Sequence, residues 1–119
     1  MLTIEEKTQA VITALEDIKA SNITVLDTSK LSPLFERMII ASANSPRQTR
    51  ALADHVSKQL KLRDIPVLST EGQDSGEWVL VDMGEMVVHI MQPAVRAYYN
   101  LEELWNIKHL PDTAAHKAK

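Results

Sequence analysis

"EWVLVDMGEMVVHIM", residues 77–91, holds two short apolar runs hinged on Met83-Gly84-Glu85, and their alternation decides the fold. Successive side chains of a strand point to opposite faces. Trp78, Leu80 and Asp82 therefore share one face, and Val79 and Val81 the other. In the second run Val87, His89 and Met91 oppose Met86, Val88 and Ile90. The β-branched Val79, Val81, Val88 and Ile90 suit a core, which predicts a hairpin whose second face carries Trp78, Leu80, His89 and Met91. Trp and Met are enriched at the centres of protein interfaces, with charge at the rim, so this face is a candidate contact surface. The alternative is a helix laid across it, with Tyr98, Leu101, Leu104 and Trp105 as cover.

Working outward, "IPVLST" (65–70) reads as a third strand that Pro66 confines to a strand start or an edge. "RMIIASA" (37–43) and "ITVLD" (23–27) read as two more. Ser45 as N-cap, Pro46 in the first helical position and Gln48 completing a capping box open a helix that Leu52, Val56 and Leu60 carry to about Leu62. Thr3 and Glu6 have the same spacing, and Val11, Leu15 and Ile18 extend a first helix from Ile4 to about Ser21. Gly72, Gly76 and Gly84, the only glycines, fall where the last three strands need turns. Pro93 opens a short helix, "PAVRAYY", and "LEELW" makes a further turn. The order α-β-β-α-β-β-β-α predicts an α/β fold, a mixed sheet of about five strands with helices on one or both faces. Residues 1–107 read as a single domain, and the polar, aperiodic 108–119 as a disordered tail.

A chain of 119 residues with 45% apolar content is long enough to bury roughly two-thirds of its unfolded surface. The lack of Cys rules out disulfides and thiolate chemistry and points to a reducing compartment. "MLTIEEKTQA" lacks the basic and apolar regions of a signal peptide, and no apolar run approaches the ~18 residues of a membrane span, so a cytoplasmic protein without membrane contact is expected. Net charge is −3, too small for global attraction to nucleic acid, but the charge is segregated. Asp64, Glu71, Asp74, Glu77, Asp82 and Glu85 lie in a stretch without Lys or Arg, and all 13 basic residues lie outside it.

Several kinds of site chemistry have no sequence support. No glycine precedes residue 72, so there is no Gly-rich phosphate loop. His55, His89, His109 and His116 make no i,i+4 pair, and no nucleophile elbow is present. No cofactor, metal or small-molecule substrate is expected. Asp82 and Glu85, with Asp27, would be the residues of a metal-dependent nucleotidyltransferase; acidic residues at a hairpin corner are more simply solvated turn formers. Arg47, Arg50, Lys58 and Lys61, with Asp54 between them, share a face of the second helix. They would serve an RNA-binding module, or form a solvated outer face. Phe35 is the only aromatic residue before Trp78, which leaves no platform for stacking bases.

The ordered succession "EWVLVDMGEMVVHIMQPAVRAYYNLEELW" (77–105) resembles the signature of the ribosomal silencing factors, the RsfS, Iojap or YbeB family. The resemblance is carried by Trp78, Asp82, Gly84, Glu85, Val88, His89, Arg96, Tyr98, Tyr99, Leu101, Glu102, Leu104 and Trp105. Upstream, "VLDTSKLSPLFERMIIASANSPRQTRALADHV" is similar to the family's Leu-Asp, apolar strand, Ser-x-x-Gln and Ala-Asp-His-Val succession, so the likeness runs from about residue 5 to 107. It implies a nucleotidyltransferase-like fold without catalysis, and "SANSPRQTR" indeed lacks the Gly-Ser helix start and paired Asp-x-Asp of the active enzymes. It further implies binding to ribosomal protein fourteen of the large subunit, which sterically stops the small subunit joining and represses translation in starvation or stationary phase. The expected roles are Trp78 as anchor, Leu80 and Met91 as apolar contacts, and His89 and Asp82 as polar contacts. Arg96 and Tyr99 are further contact candidates, with internal pairing to Glu102 or Asp82 as the alternative for Arg96 and a core position for Tyr99. Contact with adjacent ribosomal RNA, and homodimerisation through a sheet edge or the same apolar face, are additional expectations.

Overall fold

The computed structural model of the protein describes residues 2–103, so the expectations for Leu104, Trp105 and the 108–119 tail lie outside the described residues. Helix α1 spans Ile4–Asp17. Its capping box is complete: Thr3 Oγ1 accepts from the Glu6 amide at 3.1 Å, and Glu6 Oε1 accepts from the Thr3 amide at 2.8 Å. The helix stops short of the expected Ser21 because Lys19 takes a left-handed conformation, φ 61°. The Ala20 amide then reaches back to Leu15 O and the Lys19 amide to Glu16 O, both at 3.0 Å, the Schellman arrangement that glycine usually permits.

Strands β1 (Ser21–Asp27) and β2 (Arg37–Ser42) follow. Helix α2 covers Pro46–Leu62, with Ser45 Oγ accepting from the Gln48 amide at 3.1 Å. Gln48 does not close the expected box on Ser45; its Oε1 accepts from the Asn44 amide at 2.9 Å, while its Nε2 donates to Ile18 O at 3.3 Å. The start of α2 is thereby fastened to the end of α1. A second Schellman end forms at Asp64, φ 59°, with the Ile65 amide on Leu60 O at 2.9 Å.

The remaining elements are β3 (Ser69–Glu71), β4 (Trp78–Asp82), β5 (Met86–Met91) and α3 (Pro93–Tyr99). β3 is shorter than the expected 65–70. Ile65 is committed to the core, Pro66 has no N–H to donate, and pairing begins only where the Leu68 amide meets Asp82 O at 2.7 Å. The five strands form one mixed sheet in the order β1-β2-β5-β4-β3, with β2 and β5 parallel at its centre and β3 at an edge. In the antiparallel β4–β5 pair Trp78 faces Met91 and Leu80 faces His89.

Helices α1 and α2 cover one face, where Val11, Leu15, Leu52, Val56 and Leu60 pack with Ile39, Ala41, Val79, Val81, Val88 and Ile90. Burial of each large aliphatic side chain contributes about 1.5–3 kcal/mol. On the opposite face Met38, Ile40 and Met91 form a smaller cluster, overlaid by Val95 of α3 and Leu101 beyond it. The predicted helical cover therefore exists; it reaches Trp78 only through Tyr99 at its last turn, and Trp78 and Leu80 stay half-buried. Among the described residues no helix is long and apolar enough to cross a membrane.

Candidate docking surface

Strand alternation places Trp78 and His89 side by side on the second sheet face, and a hydrogen bond fixes them. Trp78 Nε1–H donates to His89 Nδ1 at 2.8 Å. An indole nitrogen can only donate, so Nδ1 must be unprotonated and the neutral ring carries its proton on Nε2. Burial disfavours the imidazolium and pulls the His89 pKa down from 6.5 to about 4, which keeps the acceptor intact at neutral pH. From the solvent side the Tyr99 ring leans on Trp78, centroids 4.9 Å apart at 50°, and Tyr98 meets Tyr99 edge-on at 5.0 Å and 83°. The result is an aromatic ladder from the sheet outward: His89, Trp78, Tyr99, Tyr98. Exposure rises along it from 9% at His89 to 53% at Tyr99 and 82% at Tyr98.

This placement changes several expected roles. Met91, expected as an apolar contact, is fully buried beneath α3, because the helix that Pro93 opens folds back over it. His89, expected as a polar contact, is 9% exposed and spends Nδ1 on Trp78. Tyr99 is not core, and Tyr98, expected to help cover the face, is the most exposed large hydrophobic residue among those described. Arg96 follows its internal alternative, pairing with Glu102 at 2.7 Å. Leu80 remains half-buried on the open part of the face, and Asp82 beside it caps the β4–β5 turn by accepting from the Gly84 amide at 2.8 Å. The sequence reading assigned Tyr98 to the cover rather than to the open surface; the signal for its exposure was its position beside Tyr99 on a short helix, where two adjacent rings cannot both face the sheet.

The carboxylates of the enzymatic alternative are dispersed and engaged. Glu85 pairs with Lys7, Asp27 pairs with Arg37 at 3.2 Å and caps Ser29, and Asp82 holds its turn. Among the described residues no group of three His, Cys, Asp or Glu could hold a metal ion. The basic face of α2 is also thinner than its spacing suggested. Arg50 Nη1 donates to Gln73 O at 3.0 Å, fastening the β3–β4 loop, so Arg47, Lys58 and Lys61 alone remain exposed there. The same loop is anchored by Thr49, whose hydroxyl donates to Gly76 O. Gly76 has φ +72° and lies so close to α2 that a Cβ would sit 2.6 Å from Pro46 Cβ, which reserves the position for glycine.

Fold and face together define an α/β domain with an ordered, partly exposed aromatic cluster on one side of its sheet. The sequence model described as "Ribosomal silencing factor during starvation" (RsfS) matches residues 2–119, and the chain belongs to that family. The Chromobacterium violaceum protein named ribosomal silencing factor RsfS is 53% identical over 104 residues, 87% of this chain and 85% of that protein. A crystal structure of a C. violaceum protein superposes with a TM-score of 0.87 at 52% identity, covering 88% of each chain. Mouse "Mitochondrial assembly of ribosomal large subunit protein 1" is 32% identical over 107 residues, 87% of this chain and 47% of its own length.

Proposed function

We propose that the protein docks on the large ribosomal subunit through the Trp78–Tyr99–Tyr98 face, with ribosomal protein fourteen as its chief contact, and so blocks entry of the small subunit. Translation falls in starvation by steric exclusion, in the cytoplasm, without turnover of any substrate. The observation that carries this reading is the Trp78 indole, held by His89 on one side and Tyr99 on the other while remaining half-buried. A large, rigid aromatic at the centre of a face is the residue type that dominates protein interfaces, because its ordering entropy is lost before binding. Trp78, Tyr99, Tyr98 and Leu80 make the contact in this reading, Asp82 stands at its rim, and His89, Met91 and Arg96 support it from beneath. The family's name and the mouse relative's name both point to the ribosome, and the second names its large subunit.

The test is subunit joining. Purified large and small subunits are mixed with and without the protein and resolved on a sucrose gradient. The protein should shift material from joined ribosomes to free subunits in proportion to its concentration, and Trp78→Ala should not. Unimpaired joining at saturating protein would refute the steric block.

A further inference from the structure

Helix α3 covers the Met38, Ile40 and Met91 cluster, yet contributes no buried residue of its own. Its apolar grip on that cluster comes from Val95, with Leu101 just beyond the helix, each only partly buried, and its last residue, Tyr99, rests on Trp78 at the margin. The polar grip is far more extensive. Arg96 Nε donates to Glu102 Oε1 at 2.9 Å and Nη2 to Glu102 Oε2 at 2.7 Å, a two-pronged ion pair. Nη1 donates to Asn22 O at 2.6 Å and Ser42 Oγ at 2.8 Å, and Nη2 also donates to Thr24 Oγ1 at 3.0 Å. These five bonds use the full donor set of a guanidinium and reach β1, β2 and the turn after α3 together. Asn100 makes the geometry possible: its left-handed backbone, φ 48°, turns the chain so that Glu102 comes back onto Arg96.

We propose that Arg96 is the positioning residue of the docking face, fixing α3 on the β1–β2 side of the sheet so that Tyr99 is held against Trp78. The inference rests on the docking reading given above and deepens it. The side chain of Arg96 is only 11% exposed and points away from the aromatic ladder into the sheet, so it works through Tyr99 rather than by touching the partner. Lysine cannot substitute, because an ammonium group has three donors and no fork to span Glu102, Ser42 and Thr24 at once.

The experiment reads the indole N–H resonances of isotopically labelled full-length protein, with the Trp78 signal assigned by its loss in Trp78→Phe. Co-sedimentation with large subunits is measured on the same variants. Arg96→Met should move the Trp78 signal towards its position in Tyr99→Leu, since both remove the Tyr99 ring from the indole. Large-subunit binding should weaken by about tenfold or more. Arg96→Lys should restore neither property. Glu102→Gln, which keeps the shape and removes the charge, should produce a smaller shift in the same direction and serves if Arg96→Met does not fold. A stationary Trp78 signal overturns the proposal, whether binding is kept or is lost through a direct Arg96 contact. A moved signal with undiminished binding overturns it as well, leaving a structural clamp alone. If wild-type protein ignores large subunits, the docking reading fails separately, and the indole signal alone decides the clamp.

Discussion

Trp78 owes its orientation to a histidine that must stay neutral, and the cost of that arrangement can be measured. The buried His89 has its pKa lowered from 6.5 to about 4, whereas the unfolded chain protonates it at the ordinary value. Between those values the unfolded state binds the extra proton and the folded state does not. Stability is therefore fully present above pH 6.5 and declines as pH falls through the window towards 4. Denaturant titrations should show wild type losing about 2 kcal/mol relative to His89→Gln between neutral pH and about pH 5. Parallel pH profiles for the two proteins would contradict this assignment. The pairing of Trp78 with His89 on one face was legible from alternation in "EWVLVDMGEMVVHIM". The hydrogen bond and the burial of Met91 were not, because they depend on where α3 lies, which no local pattern encodes.

Helix starts and helix ends behave differently in this chain. The starts are written in side chains: Thr3 with Glu6, and Ser45 with Pro46 and Gln48, all of which act at the N-termini of α1 and α2. The ends are not, since Lys19 and Asp64 occupy left-handed positions where glycine is the usual signal. For that reason the first helix was expected to reach Ser21, and the third strand to begin at Ile65 before the turn was complete. Relief of the Cβ clash in the left-handed region outweighs the added flexibility of the unfolded chain. Lys19→Gly and Asp64→Gly should each raise stability by up to about 1 kcal/mol in urea denaturation. A loss of comparable size at either site would show that the side chain itself stabilises the helix end. Arg50 is the element-scale exception to the outer-face reading of α2: its periodicity is right, but the β3–β4 loop folds across to meet it.

Across the whole molecule the acidic stretch acquires a position. Glu71, Asp74 and Glu77 are exposed on β3 and the loop leading to Trp78, while Asp82 and Glu85 are partly buried and engaged. Glu77 immediately precedes Trp78, while the loop carrying Asp74 is tied back to α2 through Arg50. The exposed negative charge therefore runs along the β3–β4 edge of the sheet; under the docking proposal it would steer a basic partner without contributing most of the affinity. Neutralising it with Glu71→Gln, Asp74→Asn and Glu77→Gln should slow association with large subunits and flatten its dependence on ionic strength, with little change in dissociation. Stopped-flow or surface-binding kinetics at two salt concentrations would read both quantities. An effect confined to dissociation would place these residues inside the contact instead.

The mixed five-stranded sheet and its two packed helices were legible because apolar periodicity specifies them. The division of the second face into a covered Met38–Ile40–Met91 cluster and a partly exposed Trp78–Tyr99–Tyr98 ladder at its margin required the tertiary structure. The most direct test of that division is co-sedimentation of the purified protein with isolated large subunits. Wild type is compared with Trp78→Ala, Tyr98→Ala and the paired change Lys58→Glu, Lys61→Glu on the opposite side of the sheet, with folding checked by circular dichroism. Wild type and the α2 variant should pellet with the subunit, and the two aromatic variants should remain in the supernatant. Retention of both aromatic variants in the pellet, with loss of the α2 variant, would contradict the docking face and move the contact to the basic helix.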